Sequence, residues 1–201
     1  MNTLKTPIPS TRERILTTAL RLFNEQGVAE VSTNHIAAAC SISPGNLYYY
    51  FRNKQEIIRE LFQRLNADWE NSLQLSQSHA PSLDDLRSIV AANYQIVWQY
   101  RFMYRELVVL LRQDAELRAS FLATRQRGFE RFRELVDSFV AAGVFREPDD
   151  PQAVDELLEV CWLLNEFWLT YLEVNGRRID EAGVQQGVTL IFRVLQPYLS
   201  V

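Results

Sequence analysis

A Ser or Asn stands in front of one apolar, helically spaced run after another along this chain, and that recurrence leaves room for little but helix. Ser10-Thr11-Arg12-Glu13 has the form of a capping box, in which a hydroxyl and a carboxylate three residues apart satisfy backbone N–H groups at a helix start. Behind it Ile15, Leu16, Ala19, Leu20, Leu22 and Phe23 form one stripe that stops at Gly27. Ser32-Thr33 opens a short second helix carrying Ile36, Ala37 and Ala38. Ser43-Pro44 opens a third, which ends near Phe51. Asn53 opens a fourth, expected to reach about Ser76. Ser82 caps a run over 83–100, and further helices fit 102–113, 115–142, 152–175 and 180–199. Gly143, the Pro148-Asp149-Asp150-Pro151 segment and Asn175-Gly176 separate the last of these. No segment of four to eight residues alternates apolar and polar between turn signals, so no sheet is expected.

Hydrophobic residues make up 47% of the 201, enough for a packed core. The net charge of −4 conceals an asymmetry. Residues 1–66 carry eight Lys and Arg against five Asp and Glu, and residues 67–201 carry thirteen against twenty. A basic N-terminal third on an acidic body suits a chain that meets a polyanion at one end only. The opening MNTLKTPIPSTRERIL has no apolar core of a secretory signal, and no apolar run reaches the ~18 residues that span a bilayer. Cys40 and Cys161, two isolated thiols, form neither a disulfide framework nor a metal knuckle, which fits a reducing cytoplasm. His35 and His79 have no triad or metal partner, and no phosphate loop or dinucleotide fingerprint occurs. Neither an enzyme, a cofactor nor a metal is expected.

Residues 32–54 read STNHIAAACSISPGNLYYYFRNK, two short helices joined by Ala39-Cys40-Ser41-Ile42. Ile36, Ala37, Ile42, Leu47 and Phe51 can bury between them and against the first helix, as in a helix-turn-helix, whose second helix enters the major groove. Pro44, Gly45 and Asn46 stand at the start of that helix, where base edges are met. Asn46 can pair with adenine through two hydrogen bonds. Tyr48, Tyr49 and Tyr50 follow in a row and cannot all face a core, so an exposed phenol is available for phosphate, sugar or a thymine methyl. Lys54 and Thr33, each at a helix start, are placed to hold phosphates. Lys5, Arg12 and Arg14 are candidates for the adjacent backbone or minor groove.

The stretch RILTTALRLFNEQGVAEVSTNHIAAACSISPGNLYYYFRNKQEII resembles the N-terminal domain of the TetR family of bacterial transcription regulators. The resemblance implies phosphate contacts at Thr33, Tyr48 and Lys54 and base contacts at Pro44, Gly45, Asn46, Tyr49 and Tyr50. It also implies a homodimer formed by the last two helices, and a helical pocket for a small effector. The chain departs from the family pattern at Ser41, where the turn generally has Gly, and at Tyr50, where His is common. The expected architecture is all-α, with a helix-turn-helix domain over 1–53 and an effector-binding and dimerisation domain over 54–201.

The C-terminal residues support the dimer on their own. Val184, Val188, Ile191, Leu195 and Leu199 line one stripe of the last helix and are the expected interface. The preceding helix is apolar on two faces, one through Val154, Leu157, Leu158, Cys161, Asn165, Trp168 and Leu172, the other through Val160, Leu163, Leu164, Phe167, Tyr171 and Val174. Such a helix is buried on two sides, either by its own subunit and a partner or within a monomeric bundle. Trp69, Tyr94, Trp98, Tyr104, Phe132, Trp162, Asn165 and Trp168 are candidate lining for an apolar or aromatic effector. Glu159, Glu166 and Glu173, seven residues apart, read as a solvated stripe. The reading that follows is a repressor released from a palindromic operator by a small effector. An activator or architectural DNA-binding protein without a ligand, and a helical small-molecule carrier, are the alternatives.

Overall fold

The computed structural model describes residues 10–75, 79–146 and 150–200. The described residues contain ten α-helices and a closing 3-10 turn, with no strand beyond one isolated bridge, Phe145 to Leu199. They divide into two compact units, one up to Arg64 and one from Leu65. The boundary therefore falls inside the fourth helix and not at its start, because the first three turns of that helix complete the N-terminal core.

The first unit holds α1 (Thr11–Gln26), α2 (Thr33–Ala39), α3 (Pro44–Tyr50) and the first part of α4 (Lys54–Ser72). The capping residues read from the sequence act as such: Ser10, Ser32 and Ser43 each accept the N–H three residues on, and Asn53 accepts that of Glu56. The stripe Ile15, Leu16, Ala19, Leu22 and Phe23 is buried with Ile36, Ala37, Leu47, Phe51, Ile57 and Leu61. Each Ile, Leu and Phe among them contributes about 1.5–3 kcal/mol by leaving water, and each Ala less. Arg64 grips both carboxylate oxygens of Glu13 at 2.5 and 2.7 Å and holds that carboxyl below its ordinary range. Arg12 pairs with Glu60, and Arg14 donates to the Cys40 carbonyl at 2.6 Å. Both arginines thus serve this unit's own packing, while Lys5 lies outside the described residues.

Ser41 sits at φ +55°, the left-handed region that costs an L-residue about 1–2 kcal/mol. The turn demands it, since the N–H groups of Ser41 and Ile42 reach back to the carbonyls of Ala38 and Ala37. Ser41→Gly is expected to raise stability by about 0.5–1 kcal/mol in denaturant melts, the strain relieved exceeding the added unfolded-state freedom. A lower midpoint would show that the Ser hydroxyl holds the turn.

The second unit contains the end of α4, α5 (Leu83–Gln99), α6 (Arg101–Arg105), α7 (Leu107–Gln113), α8 (Ala115–Ala141), α9 (Pro151–Val174) and α10 (Glu181–Leu195). Three boundaries differ from expectation. α4 stops at Ser72, whose hydroxyl turns back to the Trp69 carbonyl. The run expected over 102–113 breaks at Glu106. Residues step about 100° around a straight helix, yet Phe102, Met103 and Tyr104 are all buried, and Thr170 of α9 donates to the Tyr104 carbonyl. α10 tightens into the turn Gln196–Tyr198 at Pro197, which has no N–H to continue the ladder.

The core of this unit lies where α10 meets α5 and α9. Gly187 makes the approach possible. A Cβ there would clash with the edge of the Tyr94 ring and lie 2.8 Å from Trp168 Cδ1. Trp168 also donates its indole N–H to the Gly183 carbonyl at 2.8 Å. Val184, Ile191, Leu195 and Leu199, placed at a dimer interface by their spacing, are buried within their own subunit, and Val188 is half-buried. A stripe on a terminal helix has the same period whichever partner covers it, and here α5 and α9 cover it.

Candidate nucleic-acid interface and aromatic cluster

The sequence places its DNA-facing candidates on α2, α3 and the start of α4, and the structure gives them one consistent division. Leu47 is fully buried and anchors α3, leaving the opposite side free. Pro44, Gly45 and Asn46 are exposed, Tyr48 is about half exposed, and Tyr49 is 82% exposed. Tyr50 is half-buried and meets Tyr49 edge to face at 5.1 Å, which orients the outer ring. The Tyr48 and Thr33 hydroxyls lie 3.1 Å apart, so two hydroxyls from different helices converge on one point. His35 belongs to the α2 capping box, its Nδ1 at 3.2 Å from the Glu30 carbonyl and 3.4 Å from the Ser32 nitrogen. Cys40 is buried and packs against α1.

Lys54 adopts a posture the sequence did not suggest. Its ammonium donates to the carbonyls of Val28 and Val31 at 2.6 and 2.9 Å. An ammonium has three donors, and these carbonyls take two. The side chain therefore ties the loop between α1 and α2 to the start of α4.

The eight candidates for an effector site separate. Trp69, Phe132 and Trp162 gather into one half-buried cluster with Phe129, their ring centroids 4.9–6.0 Å apart. Tyr94, Tyr104 and Trp168 are buried deeper, and Asn165 is half-buried. The Asn93 amide donates to Asn165 at 2.6 Å, while the Tyr94 hydroxyl and the Asn93 carbonyl oxygen are buried without a partner. Burial pushes the Tyr94 and Tyr104 phenols up, and the same cause raises the Cys161 thiol to about 11. Trp98 joins neither group and carries the Arg101 guanidinium on its ring, 4.5 Å from the centroid.

Two residues beside the cluster were not legible beforehand. Glu166 is not on a solvated stripe; it is 5% exposed, takes Arg125 Nη1 on both oxygens at 2.8 and 2.7 Å, and accepts the Trp162 N–H at 2.5 Å. Arg125 and Glu166 are 41 positions apart on different helices, so no local spacing announces them. Glu173 pairs with Arg105, which holds its carboxyl below the usual range, and Glu159 alone of the three is simply exposed.

Residues 15–61 match the model for bacterial regulatory proteins of the tetR family, and residues 64–201 match the TetR model for bacterial transcriptional repressors. The chain belongs to the TetR family. A TetR-family regulator from Marinobacter aquaeolei VT8 superposes with a TM-score of 0.86 at 31% identity, covering 95% of this chain and 92% of that one. The HTH-type transcriptional regulator AcrR of Shigella flexneri is 40% identical over 53 residues, 26% of this chain and 25% of that protein. The matches thus span only about a quarter to a third of the first curated relatives. The SmeT–triclosan complex shares the fold, with a TM-score of 0.66 at 21% identity over 95% of this chain and 92% of that one. The chain is thus a TetR-family transcriptional regulator, and regulators of this family are non-enzymatic DNA-binding proteins. Among the described residues no helix is long and apolar enough to cross a membrane, and no cluster of metal-ligating side chains occurs.

Proposed function

We propose that this TetR-family regulator is a cytoplasmic repressor that reads a palindromic operator as a homodimer and is released by a small apolar or aromatic effector. The exposed face of α3 carries the reading: Pro44, Gly45, Asn46 and Tyr49 stand clear of a helix whose only buried residue is Leu47. The Asn46 amide can donate to adenine N7 and accept from adenine N6–H. The Thr33 and Tyr48 hydroxyls suit one phosphate, and the remaining donor of Lys54 brings charge to another. Family members bind operator DNA as dimers. The face of α9 holding Val160, Leu163, Phe167, Tyr171 and Val174 is exposed along about 20 Å, the right length and chemistry for the same face of a second copy. The triclosan complex of one structural neighbour and the aromatic cluster here support a small effector in the second unit.

Tyr49→Ala tests the readout. Because the ring is exposed, the melting temperature is expected to hold. Affinity for an operator selected from random DNA should fall by about 1–3 kcal/mol, and affinity for random DNA by less. Equal losses on both DNAs would make Tyr49 a backbone contact. Selection that yields no symmetric site would instead favour the helical carrier, and operator binding that no small molecule affects would favour a regulator without effector.

A further inference from the structure

We propose that the cluster of Trp69, Phe129, Phe132, Trp162 and Glu166 binds an organic cation with a flat, delocalised head group, whose place the protein's own Arg125 holds. The proposal rests on the effector reading above and adds the charge and shape of the ligand. Its first support is the buried carboxylate. A carboxylate that has lost its water needs a cation or strong donors. Glu166 has the guanidinium of Arg125 on one side and the indole N–H of Trp162 on the other. The second support is the rings. The Arg125 guanidinium lies 5.4 Å from the Trp162 centroid and 5.8 Å from that of Phe129. Those two rings are stacked, 4.9 Å apart and within 7° of parallel. Their π faces attract positive charge, most strongly when it is flat and weakly hydrated.

The third support is an imbalance between the partners. The Glu166 side chain is 6% exposed, whereas that of Arg125 is 29% exposed. Arg125 engages both carboxylate oxygens through a single nitrogen, Nη1, and not through the two-nitrogen fork that makes such pairs strongest. The arginine can therefore move into water when another cation takes its place, and the glutamate cannot follow. What it would leave is an aromatic-walled place for one positive charge with an obligate counter-ion. Gly128 completes it. A Cβ there would collide with Trp162 and come within 3.3 Å of Trp69, so both indoles rest on bare α8 backbone. A neutral ligand that displaced Arg125 would strand the Glu166 charge, and an anion would oppose it. Exchange of Arg125 for a ligand also removes an ion pair that joins α8 to α9.

Benzamidinium, benzamide and benzoate have nearly the same shape and carry charges of plus one, zero and minus one. Their binding is read by quenching of tryptophan fluorescence and by melting temperature, with wild-type protein, Arg125→Ala and Glu166→Gln. Benzamidinium is expected to bind, with benzamide and benzoate weaker by about tenfold or more. Arg125→Ala should bind benzamidinium about tenfold more tightly, since the internal competitor is gone, and Glu166→Gln should lose the preference among the three. Indistinguishable binding of the three compounds to wild-type protein, or no binding of benzamidinium to either wild type or Arg125→Ala, would overturn the proposal. The wild-type charge series decides even if a variant fails to fold. Operator release, followed in parallel, separates this proposal from the one beneath it. Glu166-dependent binding that leaves the operator complex intact upholds the cation site and removes the effector reading. Release by a neutral compound, undiminished in Glu166→Gln, does the reverse.

Discussion

Ile191→Glu is expected to unfold the second unit. The side chain is 6% exposed on the face of α10 that packs into its own subunit, one turn beyond the Gly187 contact with Tyr94 and Trp168. Desolvating a carboxylate there, or protonating it to avoid the charge, costs several kcal/mol on top of the lost aliphatic packing. A domain's whole stability is about 5–15 kcal/mol, so the substitution removes a large part of it. Ile191→Val, which deletes one methyl group, should cost only about 0.5–1.5 kcal/mol and serves as the graded control. Circular dichroism melts distinguish the cases. A Glu variant that keeps the wild-type midpoint and helicity would mean that the α10 stripe faces outward after all and would restore it as an interface.

The fold was legible from its punctuation. Ser10, Ser32, Ser43, Asn53 and Ser82 all cap the helices they precede, because a side-chain oxygen three residues ahead of an unpaired N–H acts locally and needs no tertiary context. The exposed side of α3 was legible for a similar reason, since Leu47 fixes which side is inward. What failed required knowledge of partners distant in sequence. The α10 stripe has the period of any buried helix face, and only the packing of α5 and α9 shows that the subunit itself covers it. The break at Glu106 answers to Thr170, 64 positions away. Glu166 looked solvated because its spacing from Glu159 and Glu173 is regular, and Arg125 and Trp162 override that pattern. For α9 the sequence showed two apolar faces, of which one is buried in the subunit and the other is exposed in the single chain.

That second side of α9 carries the other large effect. Leu163→Glu is expected to leave the subunit folded and to abolish the dimer. Leu163 is 55% exposed in the single chain, so the change should move its intrinsic stability by no more than about 0.5 kcal/mol. At a two-fold interface the same substitution buries two carboxylates near one axis, with neither a partner nor water. Val160, Phe167, Tyr171 and Val174 lie along the same face and lose their cover with it. DNA binding then falls for a geometric reason. One recognition helix reads only a few base pairs, and two held on a single rigid body convert the second contact into an intramolecular one. Loss of that linkage is expected to weaken binding to the full operator by about 10²–10⁴-fold, equivalent to about 3–6 kcal/mol, with binding to an isolated half-site unchanged. Light scattering gives the mass, circular dichroism the helicity, and gel shifts on full and half operators the two affinities. A folded Leu163→Glu variant that remains dimeric and binds the full operator normally would move the interface away from α9. One that becomes monomeric yet binds normally would show that a single copy suffices for recognition.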